Sequence, residues 1–236
     1  MRLRSPAFTL VEVLVVISLI VLLLAMLQPS LGKSRETARR SICASQARQQ
    51  GIGMGAFAND HKQTYPTAVI HSNWPDGAMC TDWNRADSAA GQGVLFVEGY
   101  IKDPRAFYCP SNSHSASNWL DIETAWNPSD WRYTYVHYPY WANYQSVYDP
   151  GQTLRLLVAR GPTDPSDRVL VTDNITIDTG SAHASSASRN HLGLGNEPAG
   201  GNVLRNDNSA GWIRFEQTKQ RVVVPPGAPH QRDFYF

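Results

Sequence analysis

From Leu10 to Leu27 the chain reads LVEVLVVISLIVLLLAML, and within that run only Glu12 and Ser18 are polar. A stretch this apolar has to lie in a protein core or in lipid, and it restricts the fold more than any other part of the sequence. As a helix rising about 1.5 Å per residue, the segment from Phe8 to Leu27 spans roughly 30 Å, the thickness of a bilayer's hydrocarbon core. One membrane crossing is predicted. The preceding MRLRSPA carries Arg2 and Arg4 and no acidic residue, so the positive-inside bias keeps the N-terminus in the cytoplasm and sends the rest outward. A mean hydropathy of -0.35 leaves room for only this one span.

Two ordinary explanations of the segment fall short. A cleaved secretory signal asks for a shorter apolar core followed by small residues at the cut, and Ala25-Met26-Leu27-Gln28 does not supply them. A plain anchor fits the length but leaves Glu12 unexplained, since an ionisable side chain inside a membrane helix costs on the order of 2.5 to 3.5 kcal/mol. A residue held at that cost is by default functional.

The string Ala7-Phe8-Thr9-Leu10-Val11-Glu12-Val13-Leu14-Val15-Val16-Ile17, behind a short basic leader, resembles the cleavage and methylation signal of type IV prepilins and type II secretion pseudopilins. The resemblance implies that a prepilin peptidase cuts between Ala7 and Phe8 and methylates the new amino group of Phe8. Ala7 stands where that family usually has Gly. Glu12 then becomes the assembly glutamate, whose carboxylate neutralises the terminal ammonium of a neighbouring subunit in a low dielectric. Pro29 lies where pilin helices commonly carry a kinking proline, a residue that removes one backbone donor. The implied partners are the peptidase, other pilin or pseudopilin subunits and the inner membrane, with the head extracytoplasmic.

Residues 30 to 60 lack proline and are rich in Ala, Arg and Gln, so they read as a continuing helix. Leu31, Ala38, Ile42, Ile52 and Ala56 fall on one face at helical spacing, interrupted by Ser45 and Gln49. Gly51, Gly53 and Gly55 each cost up to about 1 kcal/mol relative to Ala, so this part is held by packing or permits close backbone approach. From Phe8 to Asp60 the helix would be roughly 80 Å long. Lys33, Arg35, Arg39, Arg40 and Arg48 read as a solvated face beside partner carboxylates. The expected organisation is a leader at 1–7, a transmembrane half-helix at 8–28, an exported half-helix at 29–60 and a globular head at 61–236.

Strands are expected at Arg155 to Ala159, Val169 to Thr172, Asn202 to Arg205 and Trp212 to Glu216, with a hairpin loop between the last two. Trp131, Tyr133, Tyr135 and His137 alternate onto one face of a further strand, a pattern of core packing. The expected class is α+β, with a long N-terminal helix packed on an antiparallel β-sheet in a pilin-like arrangement. Further on, Cys43 through Gly51 with Tyr65-Pro66, the run Phe107-Tyr108-Cys109-Pro110-Ser111, and Gly200 through Leu204 with Asp207 are similar to elements of a prepilin-like group abundant in Planctomycetes and Verrucomicrobia, including its closing H-x9-D-G hairpin.

Three cysteines, Cys43, Cys80 and Cys109, allow at most one intramolecular disulfide. The resemblance favours Cys43 with Cys109, since both lie in elements shared with that group; Cys80 with Cys109, and three free thiols, stay open. No C-x-x-C or His/Cys spacing points to zinc, so no metal is expected there. Asp164, Asp167, Asp173, Asp178 and Asn174 supply oxygens for calcium but lack EF-hand spacing, and they read as turn residues. No catalytic motif occurs, so the chain is not expected to be an enzyme, and no cofactor is expected. Lys+Arg 21 against Asp+Glu 20, a net charge of +1, gives no basic footprint for nucleic acid. The sequence therefore points to a filament subunit. The rival is a membrane-anchored head that never polymerises and binds carbohydrate through Trp74, Trp83, Trp131 and Trp141.

Overall fold

The computed structural model describes residues 9–69, 89–112, 136–145, 158–173, 176–178, 190–191, 199–218, 220–223 and 232–235. The chain divides into two compact units, Met1–Ala38 and Arg39–Phe236. Helix α1, Leu10–Asp60, runs through Pro29 without a break in its helical assignment. Its propensity-rich sequence extends to Asp60, where Lys62 and Gln63 turn into left-handed conformations (φ 52° and 60°) and the Gln63 N–H bonds back to the Ala58 carbonyl at 2.8 Å.

In the second unit α1 packs on an antiparallel sheet ordered β3-β5-β6, formed by Val169–Thr172, Gly200–Arg205 and Ala210–Arg214. Strands β5 and β6 form the expected hairpin, pairing Gly200 with Arg214 and Leu204 with Ala210. Its loop closes tightly because Asp207 Oδ1 accepts the Ser209 N–H (2.8 Å) while Asn208 takes φ 62°, a conformation Asn tolerates better than most residues. Strand β6 lies two residues earlier than expected. It stops at Arg214, and Phe215–Gln217 form a 3₁₀ turn whose Gln217 Oε1 accepts the Arg214 N–H.

The second unit holds further elements. Ala68–Val69 (β1) and Tyr144–Gln145 (β2) pair in parallel, Gln92–Val97 form the short helix α2, and Thr176–Asp178 (β4), Arg232–Tyr235 (β8) and Gln220–Val223 (β7) form a second antiparallel sheet in the order β4-β8-β7. Of the expected strand at 155–159, residues 155–157 lie outside the described residues, and Val158 makes a single bridge to Val169. Of the expected aromatic strand, Trp131, Tyr133 and Tyr135 lie outside them too. His137 belongs instead to an irregular buried stretch, 136–142, held by its own N–H on the Phe107 carbonyl and the Trp141 N–H on the Leu170 carbonyl.

The face of α1 that meets the head differs from the expected stripe. Ile42 and Ile52 are 48% and 65% exposed and Leu31, Ala38 and Ala56 are exposed too, whereas Cys43, Ala47, Gln50, Gly53, Met54, Phe57 and Ala58 are buried. The reason is close approach. A Cβ on Gly53 would lie 2.9 Å from Ile101 Cγ1, and one on Gly51 would collide with the Asn208 side chain, so the inward face sets small residues beside Met54 and Phe57. Gln50 is fully buried in it because Nε2 donates to the Ala106 carbonyl and Oε1 accepts from Gln92. Around this face Leu95, Phe107, Tyr138, Tyr140, Leu170 and Leu204 complete the core.

Candidate functional site

Two groupings carry chemistry. The first is the N-terminal turn of α1. From Leu10 to Leu27 every side chain is exposed, and this part of the helix is long and apolar enough to cross a membrane. At its start Glu12 Oε2 accepts from both the Thr9 N–H (2.8 Å) and the Thr9 hydroxyl (2.6 Å), while the Glu12 N–H donates to Thr9 Oγ1 at 3.3 Å. This reciprocal pair is a capping box, and it satisfies backbone donors that a helix start leaves open. Its signature, Thr9-Leu-Val-Glu12, is legible in the sequence, although reading Glu12 only through its charge misses it. Ala7 and Phe8 lie outside the described residues.

The second grouping is buried in the head. Cys43 comes from α1, Cys109 from the loop after the 3₁₀ turn Pro104–Phe107, Asp173 from the end of β3, and His191 from the short stretch 190–191. Helical spacing aims Cys43 inward, and the Asp103 side chain caps the 3₁₀ turn through the Arg105 N–H, which sets the path to Cys109. Cys43 and Cys109 are free thiols with Sγ atoms 2.9 Å apart. His191 Nε2 lies 3.7 Å from Cys109 Sγ and 3.3 Å from Asp173 Oδ2. Asp173 is itself clamped: Oδ2 accepts the Asn202 N–H (2.6 Å) and Nδ2 (2.8 Å), and Oδ1 accepts Asn190 Nδ2 (2.8 Å).

Electrostatics follow from this packing. Burial works to lower the His191 pKa, but the hydrogen bonds to Asp173 and to the Cys43 sulfur outweigh it and raise it to about 10. The hydrogen bond with Cys109 holds the Cys43 thiol below its ordinary range, while burial pushes Cys109 above it. Next to them His137 accepts the Cys109 N–H at Nδ1 (3.1 Å), and burial lowers its pKa to about 4. No protein-family model, curated protein or solved structure matches the chain.

The other residues singled out by sequence are dispersed. Asp164 Oδ2 accepts the Arg160 N–H at 2.6 Å within its turn, and Asp167 is exposed. Asp173 belongs to the buried cluster, Asn174 lies outside the described residues, and the Asp178 side chain does too. Trp141 is fully buried with Nε1–H on Thr172 Oγ1 (2.8 Å), so it is a core residue and not a ligand-facing one. Trp74, Trp83, Trp131 and Cys80 lie outside the described residues. Arg40 stacks over Trp212 at 3.9 Å, and Arg48 donates to the Ala210 carbonyl, so two of the basic helix residues bind the head rather than only water. Among the described residues, the convergence of Cys43, Cys109, Asp173 and His191 is what sequence spacing missed, because its members come from four distant segments.

Proposed function

We propose that this chain is a pilin-like structural subunit of a type II secretion pseudopilus or a type IV pilus-like filament, and not an enzyme. In this reading a prepilin peptidase cuts between Ala7 and Phe8 and methylates Phe8. Residues 8–28 sit in the inner membrane, and the head stands outside the cytoplasm. One observation carries the reading: an apolar, fully exposed helix start bears a lone carboxylate at its first turn, on a helix whose far part is covered by an antiparallel sheet. Ile42 and Ile52, turned away from the sheet, offer neighbouring subunits further apolar contact.

Capping and pairing make separable demands on Glu12. A glutamine at the third helical position still completes a capping box, but it cannot neutralise a neighbour's ammonium. Glu12→Gln therefore keeps the helix start and removes the charge, whereas Glu12→Val removes both. In cells carrying either variant, the amount of this chain in sheared surface or periplasmic filaments is expected to fall by at least about tenfold, the effect of losing roughly 1.4 kcal/mol. Membrane-fraction levels are expected to stay unchanged. Normal incorporation of Glu12→Gln would reduce Glu12 to a cap and remove the charge-pairing mechanism.

A further inference from the structure

We propose that Cys43, Cys109, Asp173 and His191 bind one zinc ion that fastens α1 to the sheet. All four side chains are buried, at 0%, 3%, 1% and 1% exposure, and their ligand atoms lie within 4.8 Å of one another. Zinc in a structural site takes four ligands tetrahedrally, with Zn–S about 2.3 Å and Zn–N and Zn–O about 2.0 to 2.2 Å. Those bond lengths require tetrahedron edges of about 3.5 Å for S to N and about 3.3 Å for N to O. The observed 3.7 Å from Cys109 Sγ to His191 Nε2 and 3.3 Å from His191 Nε2 to Asp173 Oδ2 already match. The two sulfurs have to part from 2.9 Å to about 3.8 Å, and the remaining ligand pairs lie within 4.8 Å.

The donor set selects the ion. Two thiolates and an imidazole suit zinc, whereas calcium takes six to eight oxygens and finds a single carboxylate here. An outer layer is present as well. Asn190 Nδ2 fixes Asp173 Oδ1, the Asn202 N–H and Nδ2 fix Oδ2, and the His191 ring stands edge-on to Trp212 at a centroid distance of 5.1 Å. Such second-layer contacts orient metal ligands in known sites. A disulfide between the same cysteines uses the sulfurs and leaves the carboxylate and imidazole as a separate pair; zinc uses all four groups at once. Bound there, the ion joins α1 to segments 66 residues away at Cys109 and further along at Asp173 and His191. The site is independent of the filament reading, because it belongs to the head and requires neither cleavage nor polymerisation.

The test uses the full chain with Cys80→Ser, purified in detergent without chelator, in parallel with the parent. Elemental mass spectrometry is expected to find about one zinc per chain, and cobalt exchanged into it is expected to give the intense near-ultraviolet thiolate-to-cobalt charge-transfer bands of a thiolate site. Asn190→Ala, which removes an outer contact and no ligand, is expected to weaken zinc binding about 10- to 100-fold in chelator competition. Because the metal count and cobalt spectrum are read on chains with all four ligands intact, a variant that fails to fold does not blunt the result. The inference is overturned by a metal-free chain two hydrogen masses light from a Cys43–Cys109 disulfide. It is equally overturned by a reduced, folded chain that takes up neither zinc nor cobalt.

Discussion

Single glycines and tyrosines expose the constraints on the head most directly. Gly51, Gly53 and Gly55 look alike in sequence, but the space beside them differs. A methyl group on Gly55 meets nothing within 4 Å, while one on Gly53 would press on Ile101. Gly55→Ala is therefore expected to stabilise the head by up to about 1 kcal/mol through helix propensity, and Gly53→Ala to destabilise it by about 1 to 3 kcal/mol through overpacking. Urea unfolding of the detergent-solubilised chains checks both signs, and equal effects at the two positions would contradict the packing described. Tyr65 sets a pH limit. Burial, with the Asp164 carboxylate adding to it, raises its phenol from 10.0 to about 12, and the hydroxyl donates to Asn206 Oδ1 at 2.7 Å. Because the folded value lies above the unfolded one, this contribution is complete below pH 10 and disappears as the pH climbs towards 12. Its loss amounts to roughly 2 to 3 kcal/mol. Tyr65→Phe is expected to flatten that alkaline decline in a urea series, and an unchanged slope would show that Tyr65 is not its source.

At the scale of elements, α1 was legible as a helix through to Asp60, and strands β3, β5 and β6 were legible in outline from the turn-rich segments that bound them, above all the polar turn between Arg205 and Ala210. The buried face of α1 was not. Counting large apolar residues selects Leu31, Ile42 and Ile52, whereas the buried face carries Cys43, Ala47, Gln50 and Gly53 beside Met54 and Phe57, and its small and polar members serve close approach and hydrogen bonds supplied from elsewhere in the chain. The same limit hides the buried cluster, since its four members come from separate segments and share no local spacing. The corrected face is testable: Met54→Ala, at a position with no exposure, is expected to cost about 2 to 5 kcal/mol in urea unfolding, while Ile52→Ala stays within about 0.5 kcal/mol. A reversal of that order would return the packed face to the one expected from apolar spacing. In the filament reading Ile52→Ala lowers subunit recovery in filaments instead, which separates a folding role from an assembly role.

For the whole molecule the account turns on the N-terminus. The α+β, pilin-like arrangement of α1 on an antiparallel sheet follows from the sequence and is present in the fold. The crowding of apolar residues into 10–27 leaves a head that is correspondingly polar and builds its core from aromatic residues such as Tyr138, Tyr140 and Trp141. A filament subunit and a passive membrane anchor share that architecture, and what distinguishes them is the chemistry done at Phe8. Intact-mass and peptide mass spectrometry of the chain recovered from its native membrane or filaments reads that chemistry directly. The filament account expects a mature chain that begins at Phe8 and carries one methyl group on its amino nitrogen, with residues 1–7 gone. A chain that still begins at Met1 would contradict it.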